Sequence, residues 1–337
     1  MTNPLLQLKA LGQSVWYDNI DRSQLVSGQF KRLLDEDGIC GVTANPTIFE
    51  KSISSGHAYD EQINQLIREG KSTNEIYEAL IIQDIRTVAD ILRPIYDSAN
   101  RQDGLVSLEV SPDLAHDTEG TLSEVCRFWK MVDRPNLMIK IPGTPEGIPA
   151  VLQALTEGIN VNITLIFSIS TYRQVAEAFI SALEARRTAG EDISHMASVA
   201  SFFVSRVDTL VDKLLEDKVK ATSNTSEQQH LNTSTKNPAY RDVLYAEELI
   251  GPDTVDTMPL ETIENFRDHG RVRLSIEDNL EEAHQVFDAL EKVGIHYDQV
   301  TKQLQDEGVQ KFADSFHTLF EGIAEKRKAI ETQQVKS

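Results

Sequence analysis

Short apolar runs alternate with longer amphipathic stretches along most of the chain. The short runs, bounded by residues that favour turns, predict strands at 14–18, 39–44, 104–110, 136–141, 159–165, 197–204 and 253–258, with a weaker one around 230–235. The longer stretches carry helix start signals. Ser72-Thr73-Asn74-Glu75 and Thr121-Leu122-Ser123-Glu124 have the hydroxyl-to-carboxylate spacing of a capping box, and Thr144-Pro145 places proline at a first helical position. Strands separated by helices predict parallel βαβ units, and their uninterrupted succession predicts a closed (β/α)8 TIM barrel rather than an open sheet. One barrel domain is expected over 1–323, and the polar end at 324–337 reads as a fraying helix or tail. The polar Ser/Thr/Asn-rich stretch 221–229 reads as a loop.

The strands depart from the usual pattern in one respect. A helix-covered parallel strand normally reads as near-continuous apolar residues, yet several here carry polar residues on one parity. Asn160, Asn162 and Thr164 share a face of the fifth strand, opposite Val161, Ile163 and Leu165. Ser107 pairs with Glu109, Lys140 with Met138, Trp16 with Asp18, and Thr43 with Asn45. Any one of these alone is most simply a solvated strand end, and a single lysine on an apolar strand is most simply an edge residue reaching for water. Together they describe a polar barrel interior, which must be hydrogen-bonded or functional.

Composition narrows the chemistry. At 40% hydrophobic and 26% charged, the 337 residues suit a soluble globular protein with ample core. The formal charge of -20 repels nucleic acid and anionic membranes. It also repels phosphorylated substrates, so a phosphate site needs a local cationic cluster. The two cysteines, Cys40 and Cys126, lie in apolar contexts without metal-site or disulfide spacing and read as reduced core residues of a cytoplasmic protein. The N-terminus has no signal-peptide pattern, no run approaches a membrane span, and the eight scattered histidines suggest no dedicated metal site.

Lys140 is the most informative polar residue. Desolvating a lysine disfavours its ammonium form, and the neutral amine attacks carbonyls. Glu109 is placed to shuttle protons as a carbinolamine dehydrates, and Asp18 to take or return the proton of a sugar hydroxyl as a carbon–carbon bond breaks or forms. Asn45, Asn162, Thr164 and Ser201 suit a polyol. Arg206 and Lys236 could form the cationic pair for a phosphate. Taken singly, the commoner readings are a surface salt bridge for Arg206 and an exposed loop charge for Lys236.

Several long motifs then resemble, in order, those of the transaldolases. Gly41-Val42-Thr43-Ala44-Asn45-Pro46-Thr47 resembles the family's second strand and Val106-Ser107-Leu108-Glu109-Val110-Ser111-Pro112 its third. Met138-Ile139-Lys140-Ile141-Pro142 resembles the Schiff-base strand. Gly158-Ile159-Asn160-Val161-Asn162-Ile163-Thr164-Leu165 and Ser201-Phe202-Phe203-Val204-Ser205-Arg206 resemble the fifth and sixth. The resemblance covers nearly the whole chain. It implies transfer of a dihydroxyacetone unit from sedoheptulose 7-phosphate to glyceraldehyde 3-phosphate, in the non-oxidative pentose phosphate pathway, without metal or organic cofactor. It makes Lys140 the nucleophile, Glu109 and Asp18 acid–base groups, and Thr164 the holder of the catalytic water. Thr43, Asn45, Asn162 and Ser201 would serve the substrate, Phe203 would line the site, and Arg206 and Lys236 would bind phosphate.

Two departures accompany it. Ala44 stands where the family usually has a small hydroxyl residue. The stretch 217–232 is short and polar where relatives have an extra amphipathic helix and an apolar strand, so a degraded seventh βα unit is expected. A fructose 6-phosphate aldolase on the same scaffold, and a catalytically impaired binding or scaffold protein, remain the alternatives. Sugar phosphates are the expected partners, without nucleic acid or membrane, and a homo-oligomer stays open.

Overall fold

Seven of the apolar runs pair in one parallel sheet, in the order β6-β5-β4-β3-β2-β1-β7. The computed structural model describes residues 3–54, 57–221 and 241–334. The strands are β1 (Gln13–Tyr17), β2 (Gly41–Thr43), β3 (Leu105–Glu109), β4 (Leu137–Pro142), β5 (Val161–Ile166), β6 (Ser198–Phe202) and β7 (Thr254–Met258). The sheet curls into a nearly closed barrel flanked by helices, as expected of an α/β TIM-barrel fold. Its ends in pairing order are β6 and β7; between them in the chain lie residues 222–240, outside the described residues. The weak strand expected at 230–235, Lys236, and all but the first residue of the 221–229 loop fall there.

The helices in chain order are α1 (Pro4–Leu8), α2 (Arg22–Ser27), α3 (Gln29–Asp37), α4 (Pro46–Ser54), α5 (Asp60–Arg68), α6 (Thr73–Ser98) and α7 (Thr118–Val132). They continue with α8 (Gly147–Thr156), α9 (Ile169–Thr188), α10 (Val204–Ala221), α11 (Leu244–Glu248), α12 (Leu260–His269), α13 (Leu280–Lys292) and α14 (Tyr297–Gln334). None among the described residues is long and apolar enough to cross a membrane.

Start signals decide where several of these begin. Ser72 caps α6 through a reciprocal capping box with Glu75. The second expected box is absent: α7 starts earlier, capped by Asp117 through the Gly120 amide, and Thr121 instead bonds back to the Leu114 carbonyl. An aspartate four residues upstream offers the stronger cap, so the hydroxyl falls inside the helix. Helix α8 starts at Gly147 rather than at Pro145, but the Thr144 hydroxyl accepts from the Gly147 amide, so proline sits in its entry turn. Val204, expected to end a strand, starts α10. The C-terminal stretch expected to fray from residue 324 continues α14 to Gln334.

The parity read from sequence has a structural basis. Outward strand residues, such as Val106, Leu108, Ile139, Ile141 and Ile163, join the main core beneath the helices. At one end of the barrel Trp16, Leu105 and Met138 pack together, with Val199 against them. Trp16 fits only because its register partner Gly41 lacks a side chain; a Cβ there would lie 2.4 Å from the indole. Of the cysteines, Cys40 belongs to this cluster, whereas Cys126 is half-buried on α7 with its thiol 3.3 Å from Glu157, not in the core.

Candidate active site

Above that apolar layer the interior turns polar. Parallel pairing puts Glu109 opposite Lys140 and Lys140 opposite Asn162, so these three residues from β3, β4 and β5 stand at one level. Lys140 is 4% exposed and Glu109 7%. The Lys140 Nζ lies 3.3 Å from the Ala44 carbonyl and 3.3 Å from Glu109 Oε2. The first contact uses backbone, so the alanine that departs from the family pattern leaves it intact. The second is an ion contact outside hydrogen-bonding geometry, and Oε2 has no hydrogen-bond partner among the described residues. Burial raises the Glu109 carboxyl to about 7; the Lys140 charge opposes the rise, Asp18 adds to it, and Arg206 opposes it.

Asn162 is fully buried and cross-links the interior. Its amide nitrogen donates to the Ser107 hydroxyl at 3.0 Å, and its carbonyl accepts from the Ser201 hydroxyl at 2.8 Å. Two residues further along β5, the buried Thr164 hydroxyl has no hydrogen-bond partner among the described residues. The next residue, Leu165, has a left-handed backbone (φ +57°), and the β5–β6 register shifts between Ile163 and Ile166. A branched aliphatic residue in that conformation is uncommon, and such bulges re-aim neighbouring side chains.

Asp18 sits one residue past β1. It accepts from Thr43 Oγ1 at 2.6 Å, and because that hydroxyl has a single proton, the 2.8 Å contact between Thr43 and Thr257 has Thr257 as donor. Asn45 precedes α4, and its side-chain carbonyl accepts from the Ile48 amide, leaving its amide nitrogen as the end able to donate elsewhere.

Arg206, in the first turn of α10, makes no ion pair among the described residues, unlike the surface salt bridge that its position alone would suggest. Its guanidinium carbon lies 4.9 Å from the Phe203 ring centre and 6.0 Å from that of Phe312. Burial lowers its pKa, with Asp18 and Glu109 opposing, yet a guanidinium keeps its charge in proteins. A half-buried cation without a carboxylate partner among the described residues, in a protein of charge -20, is a ready anion site. Phe203 also packs on Phe167 at 5.5 Å.

Helix α14 supplies parts that strand parity could not reveal. Gln305 donates to the Gly143 and Leu165 carbonyls at 2.8 and 3.5 Å, and Tyr297 to the Phe167 carbonyl at 2.9 Å. These contacts, all just beyond or at the C-terminal ends of β4 and β5, lay the helix near the barrel mouth. There Phe312, 4% exposed, faces Lys140 with its ring centre 5.9 Å from Nζ. Sequence reasoning therefore missed Phe312, Gln305, Thr257 and the structural part of Ser107. Only Ser107 had a signal, its shared parity with Glu109. Among the described residues, no group of three or more His, Cys, Asp or Glu is placed to hold a metal ion.

A barrel with a buried amine, a carboxyl poised near neutrality, a second carboxylate and a free guanidinium can do Schiff-base chemistry on an anionic carbonyl compound. The model of the transaldolase/fructose-6-phosphate aldolase family matches residues 15–323. The chain is 42% identical over 376 aligned positions to the transaldolase of Trichodesmium erythraeum, covering 98% of this chain and 99% of that protein. It is 44% identical over 355 positions to the transaldolase of Acidothermus cellulolyticus, covering 95% of each. With that of Thermobifida fusca it shares 42% over 366 positions, covering 98% of this chain and all of the other. The first of these alignments is longer than the 337 residues of the chain, so it leaves gaps in this chain opposite residues of the relative.

Proposed function

Because the chain belongs to the transaldolase/fructose-6-phosphate aldolase family, we propose that it acts as a transaldolase with Lys140 as its covalent nucleophile. The observation that carries the assignment is the buried amine of Lys140, 3.3 Å from a carboxyl held near neutrality. The amine adds to the ketose carbonyl, and the carbinolamine loses water to give the imine, with Glu109 giving and taking the proton. Thr164, whose hydroxyl has no other partner among the described residues, holds the water. Asp18 takes the proton of the hydroxyl on the carbon being released, the carbon–carbon bond breaks, and the electron pair passes into the imine to leave an enamine on Lys140. The enamine attacks the acceptor aldehyde, Asp18 returns the proton, and hydrolysis frees the new ketose. In the transfer from sedoheptulose 7-phosphate to glyceraldehyde 3-phosphate the products are erythrose 4-phosphate and fructose 6-phosphate.

Asn45, Asn162, Ser201 and Thr43 bind or position the polyol, Phe203 walls the site, and Arg206 takes the phosphate. The second phosphate ligand is Lys236, on the family resemblance alone. The setting is the cytoplasmic non-oxidative pentose phosphate pathway, in keeping with two free cysteines.

The test is reductive trapping. Protein incubated with fructose 6-phosphate and borohydride should gain the mass of a reduced three-carbon unit, and peptide mapping should place it on Lys140. Lys140→Arg removes the attacking amine and should abolish both trapping and turnover while the fold survives. A label on a different lysine, or none, would remove the central assignment and restore the binding-protein alternative. Carbon–carbon cleavage that runs equally fast without an acceptor aldehyde would favour the aldolase reading.

A further inference from the structure

Asp18 is held from both strands that flank β1. Its backbone amide donates to the Met258 carbonyl of β7 at 2.9 Å, and its Oδ1 accepts from the Thr43 hydroxyl of β2 at 2.6 Å. The Thr43 oxygen in turn lies 2.8 Å from the Thr257 hydroxyl of β7. Strands β2 and β7 do not pair with each other, because β1 stands between them. The curl of the sheet brings the two hydroxyls together over the inner face of β1, close to where the chain leaves it for Asp18.

The direction of these bonds follows from counting protons. A threonine hydroxyl has a single donor. Thr43 gives its proton to the carboxylate, so Thr257 gives its own to Thr43. The chain therefore runs from Thr257 through Thr43 to Asp18, and each bond polarises the next.

Exposure separates the two threonines. Thr43 is 3% exposed, so its oxygen has little water to turn to, whereas Thr257 is exposed. An exposed hydroxyl is readily satisfied by solvent, and its side chain adds little to a core. That Thr257 instead reaches a buried hydroxyl two strands away points to orientation rather than packing.

An aspartate carboxylate turns easily about its last torsion, which is broad and two-fold. A general base must still present one oxygen within hydrogen-bond reach of the proton that it takes. We propose that Thr257 is a positioning residue for Asp18. By donating to Thr43 it commits the one Thr43 proton to Oδ1, and so leaves Oδ2 for the reacting hydroxyl of the sugar. This role rests on the acid–base part given to Asp18. Without the Thr257 hydroxyl the buried Thr43 oxygen loses its donor, and Thr43 regains a partner only by turning away from the carboxylate. Lys140 and Glu109 lie outside this chain of bonds, so imine formation does not depend on it.

The experiment separates imine formation from cleavage. Single turnovers of the full-length protein with fructose 6-phosphate are quenched with borohydride and read by intact mass. A reduced six-carbon phosphate adduct reports the imine before cleavage, and a three-carbon adduct the stage after it. Thr257→Val should lower kcat about tenfold, keep KM within about twofold, and make the six-carbon adduct accumulate. Thr257→Ala, which adds no branched side chain, should show the same adduct pattern. Thr257→Ser keeps the hydroxyl and should restore kcat to within about threefold of the unaltered protein. In a Thr43→Val background, Thr257→Val should change kcat by less than about twofold, because the hydroxyl it orients is gone. Asp18→Asn is the reference. If it accumulates the six-carbon adduct and the Thr257 variants do not, the positioning role fails while that of Asp18 stands. If none of them does, the role of Asp18 falls and this one with it. A raised KM at unchanged kcat, slower imine formation, no rescue by serine, or a further tenfold loss in the Thr43→Val background would each overturn the proposal.

Discussion

A carboxyl that titrates near neutrality can give and take a proton within one catalytic cycle. Glu109 gains this property from burial, which raises it from 4.5 to about 7 against the opposing charge of Lys140. The folded protein then holds the proton more tightly than the unfolded chain. Glu109 therefore contributes stability at low pH that is lost as pH rises from 4.5 towards about 7. Glu109→Gln should abolish this decline in denaturant titrations run across that window. The same variant should slow turnover by about 10²–10⁴-fold and flatten the limb of the kcat/KM profile near neutrality. A variant that keeps that limb would move the titrating group elsewhere. Arg206 makes the second argument at this scale. Its guanidinium rests on two aromatic rings rather than on a carboxylate, so its charge is available to a phosphate. Arg206→Ala should raise KM for phosphorylated sugars by roughly tenfold or more, since a charge-assisted hydrogen bond contributes about 1.5–3 kcal/mol. Unphosphorylated analogues should be nearly indifferent. Lys236→Ala should do less; an equal or larger effect would mean that the short segment before it builds a full seventh unit. Both Glu109 and Arg206 were legible as candidates from their motifs. The absence of an ion pair at Arg206 was not, because it depends on which side chains reach it from distant elements.

At the scale of elements, the barrel strands carry the candidate catalytic residues and one long helix packs over them. Strand parity suffices to place Glu109, Lys140, Asn162 and Thr164 inward, since alternate residues on a strand must face opposite sides. Phe312 has no such rule behind it. It lies far along the sequence in α14, and only the crossing of that helix brings its ring to Lys140. Gln305 fixes the crossing by binding carbonyls just beyond β4 and within the bulge of β5. Gln305→Ala should cost about 1 kcal/mol in stability. Its larger effect should be on partitioning, because a looser α14 admits water to the enamine. The expected outcome is a higher ratio of free dihydroxyacetone release to transfer, measured with and without acceptor aldehyde. An unchanged ratio would confine α14 to packing.

Across the whole molecule, the first and last strands among the described residues pair side by side. Strand β7 pairs along all five residues of β1, and Gln13 bonds the Leu249 carbonyl and the Thr254 hydroxyl. Beneath this junction Arg267 of α12 holds Asp37 of α3, whose side chain is 3% exposed, at 2.7 Å, and Asn3 donates to the same carboxylate. Arg93 and Asp97 form an ion pair within α6 at 2.9 Å, with both side chains about half exposed. Arg93→Ala should cost about 0.3–0.5 kcal/mol, as exposed helix pairs do. Arg267→Ala should cost about 1–3 kcal/mol, because it strands a buried acceptor whose other donor is a neutral amide. Urea unfolding of the two variants compares them directly. Equal losses would show that the Arg267–Asp37 contact is no stronger than a surface pair.

The sequence by itself determined the alternation of strands and helices, the inward parity of the polar set and the order of the motifs. Each of these follows from local periodicity or from a few consecutive residues. It also carried Lys140, Glu109 and Asp18 as a candidate set, since an amine and carboxylates on otherwise apolar strands have few structural uses. Helix starts were less secure where two capping residues competed, as Asp117 and Thr121 did, because the backbone chooses between them through the packing of the whole turn. Only the tertiary structure decided that Thr257 stands behind Thr43 and Asp18, that Asn162 joins Ser107 to Ser201, and that Phe312 covers Lys140. These contacts join residues separated by tens to hundreds of positions. Their geometry is set by sheet register and helix crossing, which no local pattern encodes.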